Sequence, residues 1–149
     1  MSGGTGVAAT LALAAGLAGS VQAAVMGRFG ERIGAIEALA WATLLSTVIA
    51  VAALLVVRRG FGGLGDAWSA PKWLWLGALL GTFIVFTITY VSPELGTTAT
   101  IALLVAGQLV AGTVIDRYGL FGFEQIALTW PRALGIAMLA AGAALTLRR

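Results

Sequence analysis

The sequence predicts an all-α integral membrane protein of five transmembrane helices. Three observations carry that reading. First, 60% of the 149 residues are hydrophobic and only 10% are charged, against roughly a quarter charged in an average soluble domain. Second, the apolar residues fall into runs long enough to cross a hydrocarbon core of about 30 Å at 1.5 Å per residue. Third, the nine Lys and Arg residues gather at the ends of those runs, where they act as interfacial anchors and topology signals. The net charge of +3 and the pI near 10.2 therefore describe membrane anchoring and not nucleic-acid binding. With no Cys and no His, disulfides, thiol nucleophiles, zinc clusters and imidazole acid–base chemistry are excluded. No acid pair or activated nucleophile has a recognisable spacing, so no enzyme, catalytic residue, metal site or cofactor is expected.

The first run, TGVAATLALAAGLAGSVQAAV, predicts a helix over residues 5–26. Val21-Gln22-Ala23 has the form of a signal-peptidase site, but no basic segment precedes the run, so a retained helix is expected. Ala8, Ala12, Ala15, Gly16 and Gly19 give it small-residue spacings that permit close helix approach. The connector GRFGER, residues 27–32, carries both charge signs and is placed at an interface. The second helix is predicted over 33–57, ending at Arg58-Arg59, with Glu37 and Trp41 one turn apart on one face. A Gly-rich loop follows, GFGGLGDAWSA, residues 60–70.

Pro71, Pro93 and Pro131 each precede an apolar run, where a missing N–H and a fixed φ suit the first helical position. They predict helices over 71–91, 93–115 and 131–147, with Ser92 as a cap and Glu94 in the first turn of the fourth. Trp68, Trp73, Trp75 and Trp130 lie near these boundaries, as an interfacial aromatic belt requires.

Five spans put the termini on opposite sides. Arg58, Arg59, Lys72, Arg117 and Arg132 then lie on one side, and Arg28, Arg32, Arg148 and Arg149 on the other. Orientation follows the asymmetry of basic residues in short loops, and here there is almost none. A chain that inserts both ways and pairs as an antiparallel homodimer is expected. A single orientation imposed by one dominant loop, or by Arg58-Arg59, is the alternative.

Polar groups inside the spans are the candidate functional residues, because hydrocarbon satisfies neither charges nor hydrogen bonds. Glu37 lies within a predicted span and is a candidate cation or proton site; its depth of about one turn also allows water contact or pairing with Arg28 or Arg32. Gln108, central in the fourth helix and flanked by Gly107 and Gly112, is expected to face a cavity or clasp its own copy across a dimer axis. Gln22 is a further hydrogen-bonding candidate, or a simple interhelical contact. Trp41, Phe83, Phe86 and Tyr90 offer aromatic cavity walls, although lipid-facing packing is the more frequent fate of such residues. Gly135 and Gly142, two turns apart in the fifth helix, mark a packing stripe for a dimer or bundle interface.

Several stretches together resemble the YdcZ-like family of five-helix membrane proteins, a branch of the drug/metabolite transporter superfamily. They are AGLAGSVQAAVMGRFGERIGAIEA, WLWLGALLGTFIVF, LGTTATIALLVAGQLVAGTVIDRYGLFG and PRALGIAMLAAGAAL. Ala106-Gly107-Gln108-Leu109, Asp116 and Gly119-Leu120-Phe121-Gly122 form the most specific part, and Gln22 and Gln108 fall on the family's glutamine positions. Met26 and Arg117 depart from it, where Asn and His are expected. The resemblance implies half of a ten-helix transporter, paired with itself or with a paralogous half in the bacterial inner membrane. Export of a small organic metabolite or cation by alternating access is expected, although the departure at Met26 keeps any substrate preference from being carried over. In that reading Glu37 is the coupling site, Gln22, Gln108, Trp41 and Tyr90 contact substrate, and Gly107, Gly112, Gly135 and Gly142 serve the dimer interface. A passive small-ion channel lined by Gln108, Thr97, Thr98 and Thr100, or a membrane scaffold without transport of its own, are the alternatives.

Overall fold

The structure, a computed structural model, describes residues 3–147; Arg148 and Arg149, counted above for topology, lie outside the described residues. These residues form helices and turns, with no strand among them. The helices are α1 (Gly3–Ile33), α2 (Ala35–Arg58), α3 (Gly62–Ser69), α4 (Leu76–Leu95, entered through a 3-10 turn Lys72–Trp75), α5 (Thr97–Tyr118) and α6 (Trp130–Thr146). Four segments are long and apolar enough to cross a membrane: Gly4–Ile33, Ala35–Arg58, Lys72–Leu95 and Thr97–Tyr118. The 17 residues of α6 span about 25 Å, a little less than the usual hydrocarbon core. The chain divides into two compact units, Met1–Ala24 with Val91–Arg149, and Val25–Tyr90.

Three boundaries differ from those expected. The segment 27–32 is not a connector between helices but the last turns of α1. Arg28 donates to Glu31 at 2.9 Å, an i,i+3 pair that supports the helix and takes Arg28 away from Glu37. The break comes at Gly34, whose φ of 102° and ψ of 145° only glycine adopts without strain. Its N–H still donates to Gly30 O (2.9 Å) and its carbonyl still accepts from Ala38 N (3.0 Å), so the glycine stays bonded to both helices where α1 redirects into α2. The expected Gly-rich loop contains α3.

The third difference concerns Pro93, which does not begin a helix. It lies inside the last turn of α4, and the chain breaks instead at Gly96, with φ 84° and ψ 154°. The device is that of Gly34: Gly96 N–H donates to Ser92 O (2.9 Å) and Gly96 O accepts from Thr100 N (3.1 Å). Ser92 is therefore not a cap. It is buried, and its Oγ has no hydrogen-bond partner among the described residues. By contrast α6 begins at Trp130 with Pro131 in its first turn.

Packing within each unit uses small side chains. Ala23, Ala99 and Ala143 are buried in one, and Met26, Ala38, Ile88 and Thr89 in the other. At Gly30 a Cβ would meet Thr89 Cγ2 at 2.7 Å and its carbonyl at 3.2 Å, so glycine is what lets α1 and α4 approach there. Large apolar side chains such as Leu11, Val48 and Leu79 are more than half exposed, as membrane helices present them to lipid. Hydroxyls on these faces are satisfied locally. Thr43, Thr47, Thr82 and Thr87 each donate to the carbonyl four residues earlier, which removes the cost of an unpaired donor in hydrocarbon.

Candidate functional site

The hairpin of α5 and α6 holds most of the polar chemistry of its unit. Gln108, Gly112 and Asp116 lie at i, i+4 and i+8 on α5 and so share one face. Arg132, Gly135 and Leu139 follow the i, i+3, i+7 spacing on α6. Together they line an open groove of about 340 Å³ between the two helices. Its walls are mainly apolar, with Gln108 at one end and an Asp116–Arg132 ion pair at the other.

That pair is the structural feature that reading the sequence missed. Arg132 Nη2 donates to Asp116 Oδ2, and both side chains are about two-thirds or more removed from solvent. Asp116 stands in the last turn of α5 and Arg132 in the first turn of α6. Each is at the helix end whose dipole disfavours its charge, so each gains from the other. The connecting turn brings them together. Gly119 caps α5 in the left-handed conformation (φ 61°), Phe121 (φ 60°) and Gly122 (φ 83°) continue it, and Ile126 N–H returns to Asp116 O at 2.8 Å. A Cβ on Gly119 would lie 2.8 Å from Gln125 Cγ and 3.0 Å from Phe123 O, so the fold-back needs glycine. The spacing 108–112–116 was visible in the sequence, but the partner on α6 was not.

The other candidate residues lie elsewhere. Gln22 is exposed on α1 and is not part of the groove lining. Glu37, in the first turn of α2, is exposed and folds its carboxylate over Gly34, where any Cβ would collide with it. Trp41 is exposed one turn further on. Tyr90 is exposed near the end of its unit and stacks on Phe86, with centroids 6.0 Å apart. Thr100, a candidate pore-lining residue, is buried with its hydroxyl on Gly96 O at 2.9 Å. A methyl group placed on Gly107, Gly112, Gly135 or Gly142 would meet no atom within 4 Å beyond its own helix; nothing inside this chain requires them to be glycine.

The family described as "Putative inner membrane exporter, YdcZ" matches residues 7–145. The chain belongs to the YdcZ family. It is 32% identical over 138 residues to the inner membrane protein YdcZ of Escherichia coli (strain K12), covering 92% of both chains. No solved structure matches. The YdcZ-like chain is thus a multi-pass inner membrane protein of an exporter family, which accords with its long apolar helices. Its Gln108 and Asp116 lie within the matched residues and face the same groove.

Proposed function

We propose that the chain is one half of a secondary transporter that exports a small organic metabolite or cation by alternating access, as an antiparallel homodimer or with a paralogous half. The observation that carries the reading is the α5–α6 groove, where a membrane-embedded amide and an ion pair open onto apolar walls. Such a surface suits a small solute with one apolar face and a few polar groups. Gln108 hydrogen-bonds the substrate, and Asp116–Arg132 closes one end of the site. Glu37, unpaired among the described residues and beside the helix break at Gly34, is the coupling-ion or proton site. Gln22, Trp41 and Tyr90 are further proposed substrate contacts.

The dimer reading is supported by the open glycines. Gly107 and Gly142, outside the groove, keep helix faces flat where the described residues supply no neighbour, which is how membrane helices prepare for a partner. In such a dimer α6 is the fifth span, its short length accommodated by local thinning or by the flanking Trp130.

A thermal-shift screen of purified protein against metabolites and organic cations selects the substrate, and proteoliposome transport then tests the residues. Gln108→Ala is expected to lower transport efficiency about threefold to tenfold, the worth of one neutral hydrogen bond. Glu37→Gln is expected to abolish dependence on an ion gradient while leaving substrate binding. If both variants transport as the wild type does, the assignment is wrong.

A further inference from the structure

The connector between α2 and α4 carries a second surface, unrelated to the groove and independent of the transport reading. One candidate span ends at Arg58 and the next begins at Lys72, so the residues between them lie at a membrane–water boundary. Arg58, Arg59 and Lys72 are set against one acid, Asp66, and none of the four forms an ion pair among the described residues. Phe61, Leu64 and Trp68, all more than half exposed, follow an i, i+3, i+7 spacing from the N-cap of α3 along its length. That stripe fits a short helix lying in the interface plane.

The rest of the connector is pre-arranged around a cation. Lys72 Nζ donates to Trp68 O at 2.7 Å and lies 4.4 Å from the Trp75 ring and 5.6 Å from the Trp68 ring. The two indoles meet edge-on, 5.2 Å apart, and Trp75 Nε1 donates to Ala67 O at 3.3 Å. The same connector bounds a cavity of about 570 Å³, lined by Leu54, Arg58, Gly60, Gly62, Gly63, Leu64 and Asp66. Glycines leave its backbone open, and Leu54 and Leu64 give it apolar walls.

From this arrangement we infer that residues 58–75 bind the headgroup of an anionic phospholipid. Arg58 and Arg59 receive the phosphate, the glycine-walled cavity takes the polar headgroup, and the Phe61–Leu64–Trp68 stripe rests against the acyl chains. Charge decides the class of lipid: three cations against one carboxylate favour a headgroup with net negative charge over a zwitterionic one.

The test uses the full chain in bilayers, with tryptophan fluorescence quenched by brominated phosphatidylglycerol, phosphatidylethanolamine or phosphatidylcholine at equal mole fraction. Brominated phosphatidylglycerol is expected to quench most, the excess falling as salt is raised and shrinking in Trp68→Phe. In Arg58→Gln/Arg59→Gln the preference is expected to drop about thirtyfold, while Arg117→Gln keeps it. Equal quenching by the three lipids, stronger quenching by phosphatidylethanolamine, or a preference that survives high salt or the double arginine substitution would each overturn the inference. The salt dependence is read on the wild type, so the outcome does not hang on the variant's folding.

Discussion

Asp116 and Arg132 each sit where a helix dipole opposes their charge, and their pairing is what makes both positions tolerable. Removing one partner leaves the other half-buried and alone. Asp116→Asn is therefore expected to lower stability in detergent by about 1–3 kcal/mol, a charge-assisted hydrogen bond lost beside an unpaired cation. The exchanged pair, Asp116→Arg with Arg132→Asp, separates the two contributions. It restores the ion pair and places each charge at its favoured helix end, so thermal unfolding at or above the wild-type midpoint is expected. Gln108 differs in kind: its amide has no partner requirement that the single chain meets, and its truncation is expected to act on transport and not on the fold.

Two helix breaks share one design, a glycine with positive φ that keeps its hydrogen bonds to both flanking helices. Alanine at either site meets backbone strain of about 1–3 kcal/mol, and at Gly34 a collision with Glu37 as well. Pro93→Ala, in contrast, returns an N–H to the end of α4 and is expected to leave stability unchanged or raise it by up to about 1 kcal/mol. Opposite signs for Gly96→Ala and Pro93→Ala in a thermal-unfolding series would fix which residue ends the helix. The sequence offered both signals three residues apart. Proline at a first helical turn is a sound local rule, and it describes Pro131, but no local rule says whether Pro93 or Gly96 prevails. The all-helical character was plain from composition, and the 108–112–116 face from spacing. The Asp116–Arg132 contact was not, because it depends on a turn in which Phe121, a non-glycine residue, takes φ 60°. A sequence-local preference gives no hint of that.

At the scale of the molecule, the exposed apolar helices and the unfilled glycine faces describe a chain that is finished only by its surroundings. Lipid covers part of that surface, and in the proposed assembly a second copy covers the rest. The absence of native cysteine makes the arrangement accessible to single-cysteine chemistry. For dual insertion, Ser2→Cys in intact cells is expected to react with an impermeant reagent in about half of the molecules, the remainder reacting only after permeabilisation; labelling from one side alone contradicts the antiparallel dimer. In the proposed transporter the α5–α6 groove is a wet substrate path, and everything assigned to Gln108 depends on that. Its most direct measurement is the reaction of Gln108→Cys with an impermeant thiol reagent in membranes, with and without transported substrate. The thiol at this position is expected to react, and substrate to protect it. A thiol there that stays unreactive in the folded protein, as a lipid-facing or tightly clasped residue would, contradicts the wet path.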